Sequence, residues 1–222
     1  MKYLKMLGLA AVAAMALTAV IGAGTASAAT ICTTDPDHTA KVTACGTNAI
    51  HGWHANAETP LVANTLEAKL TSGFINVTCA STAEGKITNA TTGHGDITSL
   101  TFFSCVDNFG RPCTASSTAA AASPWTVTTA YTSGTDGTMT VHNPTGKFTC
   151  KNPFNPGGPE VTCEYNNTSV TVTATGSHTS PKIDAVNVPL NKHGSSNILC
   201  SNTATWNGTY NINTPKSLVV TP

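Results

Sequence analysis

The sequence predicts an all-β protein, namely a single antiparallel β-sandwich, immunoglobulin-like or similar, held by disulfide bonds. Short segments alternate apolar and polar residues and are separated by clusters of Gly, Pro, Asn and Asp. Eight cysteines, an even number, all follow an N-terminal export signal. The alternation predicts half-buried strands, and the cysteines predict covalent links between them.

Alternation with a period of two places Thr, Asn and Ser on one face of a strand and apolar side chains on the other. It recurs in five segments: 74–79, 125–128, 138–142, 169–173 and 205–212. Segment 61–70 fits either a helical face or a strand, and we favour the strand because it leads directly into 74–79. The Ala- and Ser-rich stretch 114–123 is expected to be a surface loop.

The first 28 residues have the three parts of a secretory signal. A basic start precedes an apolar run over 6–22, and small residues at Ala26 and Ala28 form a cleavage pattern. An uncleaved membrane anchor is the alternative, but two glycines and a threonine interrupt the run. We expect residues 1–28 to be removed and 29–222 to form one domain that is secreted or bound to the cell envelope. No apolar stretch after Ala28 is long enough to span a bilayer.

The cysteines are expected to form disulfides, since an exported chain leaves a compartment that keeps thiols reduced. Zinc ligation is the alternative, but closed zinc sites usually contain a C-x-x-C pair, and the sequence has none. Closing the local loops first gives three short-range pairs and leaves one long-range pair. The predicted pairs are Cys32–Cys45, Cys105–Cys113, Cys150–Cys163 and Cys79–Cys200.

Two parts of the chain resemble known secreted proteins. Four features belong to the first resemblance: segment 74–79, which ends in a Cys, then Cys200, the Trp-x-x-x-Tyr strand over 204–212 and the Pro-x-x-Leu ending at 215–218. Together they resemble a family of small secreted proteins that actinobacteria carry in many copies. Segment 123–128 is similar to secreted proteins linked to bacterial growth on alkanes and to biofilm. The resemblance implies a β-sandwich, an extracellular or envelope location and no cofactor, and it transfers no catalytic residue.

Charge and motif content argue against several functions. Lys plus Arg and Asp plus Glu number 11 each, and only 10% of residues are charged, so no basic surface for nucleic acid is predicted. No G-x-S-x-G nucleophile motif is present. Among the carboxylates, Glu160 and Glu164 are more simply solvated charges at strand ends than an acid–base pair. The sequence therefore predicts a protein that is not an enzyme.

The segment His51-Gly52-Trp53-His54 contains the candidate ligand contacts. His51 and His54 lie near acidic residues and could bind a metal ion, but on a strand they would point to opposite faces, which favours a solvated loop. Trp53 is the candidate for stacking on a sugar, because exposed aromatic residues in loops are frequent at recognition sites. Trp125 alternates with Val127, and Trp206 shares one strand face with Tyr210 and Ile212, so these residues are expected in the core.

Three hypotheses of function follow. The first is a non-enzymatic, structural or adhesion-type protein that contacts cell-surface glycans or other extracellular matrix components. The second is an extracellular carbohydrate-binding module with Trp53 in its site, and the third is a secreted hydrolase. We expect neither a metal nor a cofactor and no nucleic-acid partner.

Overall fold

A computed structural model describes residues 29–33, 45, 58–155, 157–194 and 196–222, and the backbone of 53–54. Among these residues, no helix is long and apolar enough to cross a membrane. The structure describes the 3-10 turn Ala90–Thr92 and fourteen strands. The strands are β1 Thr30–Thr33, β2 Trp53–His54, β3 Thr59–Ser72, β4 Ile75–Asn89, β5 His94–Asp107, β6 Cys113–Ser117, β7 Trp125–Ser133, β8 Asp136–His142, β9 Thr145–Cys150, β10 Val161–Asn166, β11 Ser169–Thr175, β12 Lys182–His193, β13 Thr203–Thr214 and β14 Val219–Thr221.

Eight strands form a closed antiparallel barrel. Their order is β11-β8-β7-β5-β4-β3-β13-β12, and the pairing of β11 with β12 closes the ring. The all-β, antiparallel prediction is confirmed, but one sheet closing on itself replaces the two packed sheets of the predicted sandwich. Bulges bend the longest strands, at Thr65/Ala68 between β3 and β4 and at Ala185/Val188 between β12 and β13. Bulges increase the local bend and twist of a strand, which lets a long sheet curl into a barrel.

A three-stranded extension leaves the barrel at β12. The first residues of β12 pair with β11, and its last residues, Asn191–His193, pair instead with β10. The sheet continues through β9 to β6, which packs against the second half of β5. The Ser117 hydroxyl of β6 donates a 2.9 Å hydrogen bond to the Leu100 carbonyl of β5. The extension thus encloses an interior space of its own, next to the interior of the barrel.

A small sheet, β14-β1-β2, covers the end of the barrel that holds the β4–β5 and β7–β8 turns. The Val220 amide donates a 3.0 Å hydrogen bond to the Thr135 carbonyl in the β7–β8 turn. Ile31 of β1 and Leu218 before β14 are buried in the main core. The N- and C-terminal parts of the described chain therefore close this end of the barrel together.

Most strand predictions are confirmed, including the choice of a strand over a helix for 61–70, which lies in β3. Trp125, Tyr210 and Ile212 are buried as predicted, because the period of two directs them into the barrel. Trp206, which was also expected in the core, is only partly buried and packs against it. The prediction for 114–123 is half wrong. Its first residues form β6, which pairs with β9, and only the remainder is a turn region.

All eight cysteines form disulfides, as predicted, but only Cys32–Cys45 has the predicted partner. The predicted Cys105–Cys113, Cys150–Cys163 and Cys79–Cys200 pairs are wrong. Strand register, not loop closure, decides the pairing: β6 and β9 place Cys113 directly opposite Cys150. The observed pairs are Cys79–Cys105, Cys113–Cys150 and Cys163–Cys200.

Candidate functional site

Four connections meet at the end of the molecule opposite the small sheet: the β3–β4 turn, the β5–β6 loop, the β9–β10 loop and the β12–β13 loop. The Asn108 amide of the β5–β6 loop donates a 2.9 Å hydrogen bond to the Asn76 carbonyl at the start of β4. A Cβ on Gly73 of the β3–β4 turn would lie 3.3 Å from the Ser201 Cβ, in the β12–β13 loop. These contacts link the β3–β4 turn and the start of β4 to the β5–β6 and β12–β13 loops, and the Phe74–Phe154 ring contact adds the β9–β10 loop.

Each of the four connections exposes a large apolar side chain. The exposed fractions are 69% for Phe74, 54% for Phe109, 68% for Phe154 and 93% for Ile198. Phe74 and Phe154 touch edge to face, with ring centroids 6.4 Å apart and planes at 80°. Large apolar residues on separate loops rarely converge on a surface without a role in binding. We call the set Phe74, Phe109, Phe154 and Ile198 the apolar tip.

The Asp107 carboxylate fixes the loop that carries Phe109. One of its oxygens accepts the backbone N–H groups of Phe109 and Arg111, each at 2.9 Å, and the other accepts the Arg111 guanidinium. The guanidinium also lies over the Phe109 ring, 4.8 Å from its centroid. Burial raises the pKa of Asp107, but the hydrogen bonds and charge of Arg111 outweigh it, so the pKa lies below the usual range.

Asparagine side chains fix the loops that carry Phe154 and Ile198. The Asn152 side-chain oxygen accepts the Phe154 N–H at 2.9 Å, and the Asn197 side-chain oxygen accepts the Leu199 N–H at 2.9 Å. The Lys192 ammonium donates to the Asn197 and Cys200 carbonyls, at 3.0 and 3.2 Å. Asn side chains that accept backbone N–H groups two residues ahead stabilise tight turns. The exposed Phe154 and Ile198 therefore stand on turns of defined geometry.

Three disulfides lie directly behind the apolar tip. Cys79–Cys105 joins β4 to β5, Cys113–Cys150 joins the start of β6 to the end of β9, and Cys163–Cys200 joins β10 to the β12–β13 loop. Each bridge ties strands or loops that lead into the tip. Cross-links of this kind reduce the freedom of the loops, so that apolar side chains stay exposed instead of folding inward.

Charge is sparse around the apolar tip. The connecting segments 73–74, 108–112, 151–160 and 194–202 contain three ionisable residues, Arg111, Lys151 and Glu160. Arg111 is neutralised by Asp107 at 2.5 Å, and Lys151 and Glu160 carry opposite charges. The tip is therefore apolar and close to neutral, which removes long-range attraction to strongly charged partners.

The predicted contact residues take no part in this surface as far as the structure describes them. His51 lies outside the described residues, and for Trp53 and His54 only the backbone is described, in β2, which pairs with β1. That pairing places the backbone of 53–54 in the small sheet, not at the tip. The hypotheses that these residues bind a ligand or a metal stay predictions.

One cluster has the composition of a metal site but not its chemistry. Asp107, Cys113 and Cys150 offer ligand atoms within 4.8 Å of one another. Cys113 and Cys150 form a disulfide, so neither supplies the thiolate that a metal ion requires. The Asp107 carboxylate is already saturated by Arg111 and the loop backbone. This cluster is a structural brace behind the tip.

Three carboxylates of the described chain have structural partners. Asp136 accepts the Gly176 N–H at 3.0 Å, and Asp184 accepts the Thr209 hydroxyl at 2.6 Å. Glu58 pairs with the Lys86 ammonium at 2.6 Å. These contacts join neighbouring strands or turns, so the three carboxylates have structural roles.

Sequence reasoning missed the apolar tip. Phe109 stands in Asp-Asn-Phe-Gly and Phe154 in Pro-Phe-Asn-Pro, which are turn sequences that leave no inner face for an aromatic ring. Aromatic residues inside such turn sequences are the signal from which these exposed side chains could have been predicted. The convergence of four turns on one surface depends on the barrel.

The chain matches no protein-family model, no curated protein and no solved structure.

Proposed function

We propose that this protein is a non-enzymatic, adhesion-type protein of the extracellular space that attaches to apolar surfaces, lipid or other, through the apolar tip. The observation that supports this most directly is the convergence of Phe74, Phe109, Phe154 and Ile198 on one disulfide-braced end. Four disulfides are consistent with an oxidising, extracellular compartment. Membership of the multi-copy secreted family that the sequence resembles fits the same location and stays a proposal.

The shape of the apolar tip favours an apolar surface over a sugar. Aromatic platforms for sugars present flat rings beside hydrogen-bonding groups, whereas Phe74 and Phe154 lie at 80° to each other. Phenylalanine also lacks the polar atom with which Tyr or Trp contributes a hydrogen bond at a wet interface. Side chains that project from separate turns fit a deformable apolar surface better than a rigid polar ligand. The carbohydrate-binding and hydrolase hypotheses remain alternatives.

Retention on defined surfaces tests the proposal. Residues 29–222 would be incubated with phosphatidylcholine vesicles, octyl-agarose and chitin, and the bound fraction measured after sedimentation. We expect retention on the vesicles or the octyl matrix, and a loss of about tenfold in partitioning for each of Phe74→Ser, Phe109→Ser and Phe154→Ser, since burying one Phe contributes about 1.5–3 kcal/mol.

A matched control uses two exposed apolar residues at strand bulges away from the tip. Leu66 and Val186 are 85% and 70% exposed, and Leu66→Ser with Val186→Ser should leave retention unchanged. Equal loss in this control and in the tip variants would contradict the proposal, as would no retention on either apolar matrix. Retention on chitin that depends on the tip would support the carbohydrate-binding alternative instead.

A further inference from the structure

The interior of the barrel is not filled by its own side chains. Many inward-facing positions carry alanine, among them Ala63 and Ala68 of β3, Ala185 of β12 and Ala204 of β13. The interior of an eight-stranded barrel is just wide enough to be filled by large side chains or to hold one small ligand. Small residues in the wall leave room at the centre.

Two apolar cavities result, of about 70 and 40 Å³. Leu100, Trp125 and Trp206 line both, so these side chains lie between the two spaces. Inner-face residues beside the larger cavity, such as Leu70 and Phe102, stay partly accessible although they point into the barrel. The two cavities are therefore neighbours, and Leu100, Trp125 and Trp206 separate them.

The larger cavity extends to the wall of the barrel extension at Gly146. In β9, Gly146 pairs with Tyr165 of β10 and Ser117 of β6, and it follows the same inward alternation as buried Phe148. A Cβ built on Gly146 would meet no atom within 4 Å. The half-buried Gly146 therefore leaves an unfilled place in the wall, next to the cavity.

The buried polar side chains beside the cavity, Trp125 and Tyr165, already have partners. The Trp125 indole N–H donates to the Thr118 hydroxyl at 3.2 Å, and the Tyr165 hydroxyl donates to the Ser201 carbonyl at 2.9 Å. Among the described residues, the only buried side-chain polar atom without a partner is the Ser217 hydroxyl, which does not line this space. A cavity whose buried polar groups are already paired offers water few partners and favours apolar occupants.

We propose that the larger cavity is a binding site for a slender, unbranched apolar group, such as a short alkyl chain. An apolar cavity of about 150 Å³ holds benzene, so the smaller space here selects a narrower occupant. A chain entering beside Gly146 would reach Trp125 and Trp206. This site is separate from the apolar tip and does not depend on the function proposed for the tip.

The test is a titration of residues 29–222 with xenon and with the linear alcohols from 1-propanol to 1-hexanol. Binding is followed by NMR, through the indole N–H signals of Trp125 and Trp206 and the methyl signals of Leu70. We expect saturable shifts, with affinity rising about fourfold for each methylene, as expected from about 0.8 kcal/mol per buried CH₂, until the chain exceeds the cavity. Shifts that grow linearly without saturating would overturn the proposal.

Two variants that fill the cavity sharpen the test. Gly146→Leu should abolish saturable binding. Ala115→Leu, in the adjacent strand β6, also fills the cavity and serves if the first variant does not fold. Gly157→Leu is the matched control, because a Cβ there also meets no atom within 4 Å but lies in the β9–β10 loop outside the cavity. Equal binding by the filled and control variants would refute the site. Tip variants such as Phe109→Ser should bind the probes normally, so the two proposals fail independently.

Discussion

At the scale of single residues, Asp107 connects loop geometry to stability. Its side chain is fully buried, and it accepts hydrogen bonds from two backbone N–H groups and from the Arg111 guanidinium. Because the folded-state pKa of Asp107 is lowered, the ionised carboxylate stabilises the fold above its unfolded pKa of about 3.9. This stabilisation is lost as the pH falls through the lower folded-state pKa.

The first prediction concerns Asp107→Asn. At pH 7 the variant should lower the free energy of unfolding by about 2 kcal/mol, since it removes a charge-assisted hydrogen bond and leaves Arg111 unpaired. Urea denaturation at pH 7 and at several values below pH 4 measures the effect. The difference from the wild type should shrink as the pH falls. A difference that stays constant with pH would show that the carboxylate charge plays no part.

Single residues also show where sequence reasoning succeeds. Trp125, Tyr210 and Ile212 were predicted in the core from alternation alone, because a strand side chain has only two faces to choose from. Burial accordingly raises the pKa of Tyr210 to about 12, although the Ser81 hydroxyl accepts a 3.3 Å hydrogen bond from it. The exposure of Phe74 and Ile198 was not predictable in this way, since it depends on which turns become neighbours.

At the scale of elements, the disulfides show the limit of local reasoning. The predicted pairs closed the shortest loops, on the assumption that neighbours in sequence are neighbours in space. In the extension of the barrel, β9 lies between β6 and β10, so Cys150 faces Cys113 in register and Cys163 is left for Cys200. Register depends on bulges and on the order of strands, and neither is visible in a pattern with a period of two.

The second prediction concerns the Cys163–Cys200 bridge. Its removal by Cys163→Ala with Cys200→Ala frees a loop of 37 residues, and the loop-entropy relation gives a loss of about 3–4 kcal/mol in the free energy of unfolding. Thermal denaturation of the double variant and the wild type measures it. The variant should also lose protection from amide hydrogen exchange around Ile198, because this bridge anchors the β12–β13 loop. Unchanged protection there would contradict the bracing role assigned to the bridge.

At the scale of the whole molecule, the sequence predicted the strands and that the cysteines form disulfides, whereas the barrel determined three of the four pairings and the position of the loops. Closure requires β11 to pair with β12, which meet around the circumference of the ring. That pairing cannot be read from either strand alone, because both have the alternation of any half-buried strand. The same closure brings the β3–β4, β5–β6, β9–β10 and β12–β13 connections to one end. The candidate site is therefore a product of topology.

A closed barrel, braced by its disulfides, holds four turns together as one apolar end. Non-reducing peptide mapping of residues 29–222 is the decisive measurement, because the bridges record which strands are neighbours. We expect peptides that join Cys79 to Cys105, Cys113 to Cys150 and Cys163 to Cys200. Peptides that join Cys150 to Cys163 or Cys79 to Cys200 would contradict both the barrel topology and the tip that depends on it.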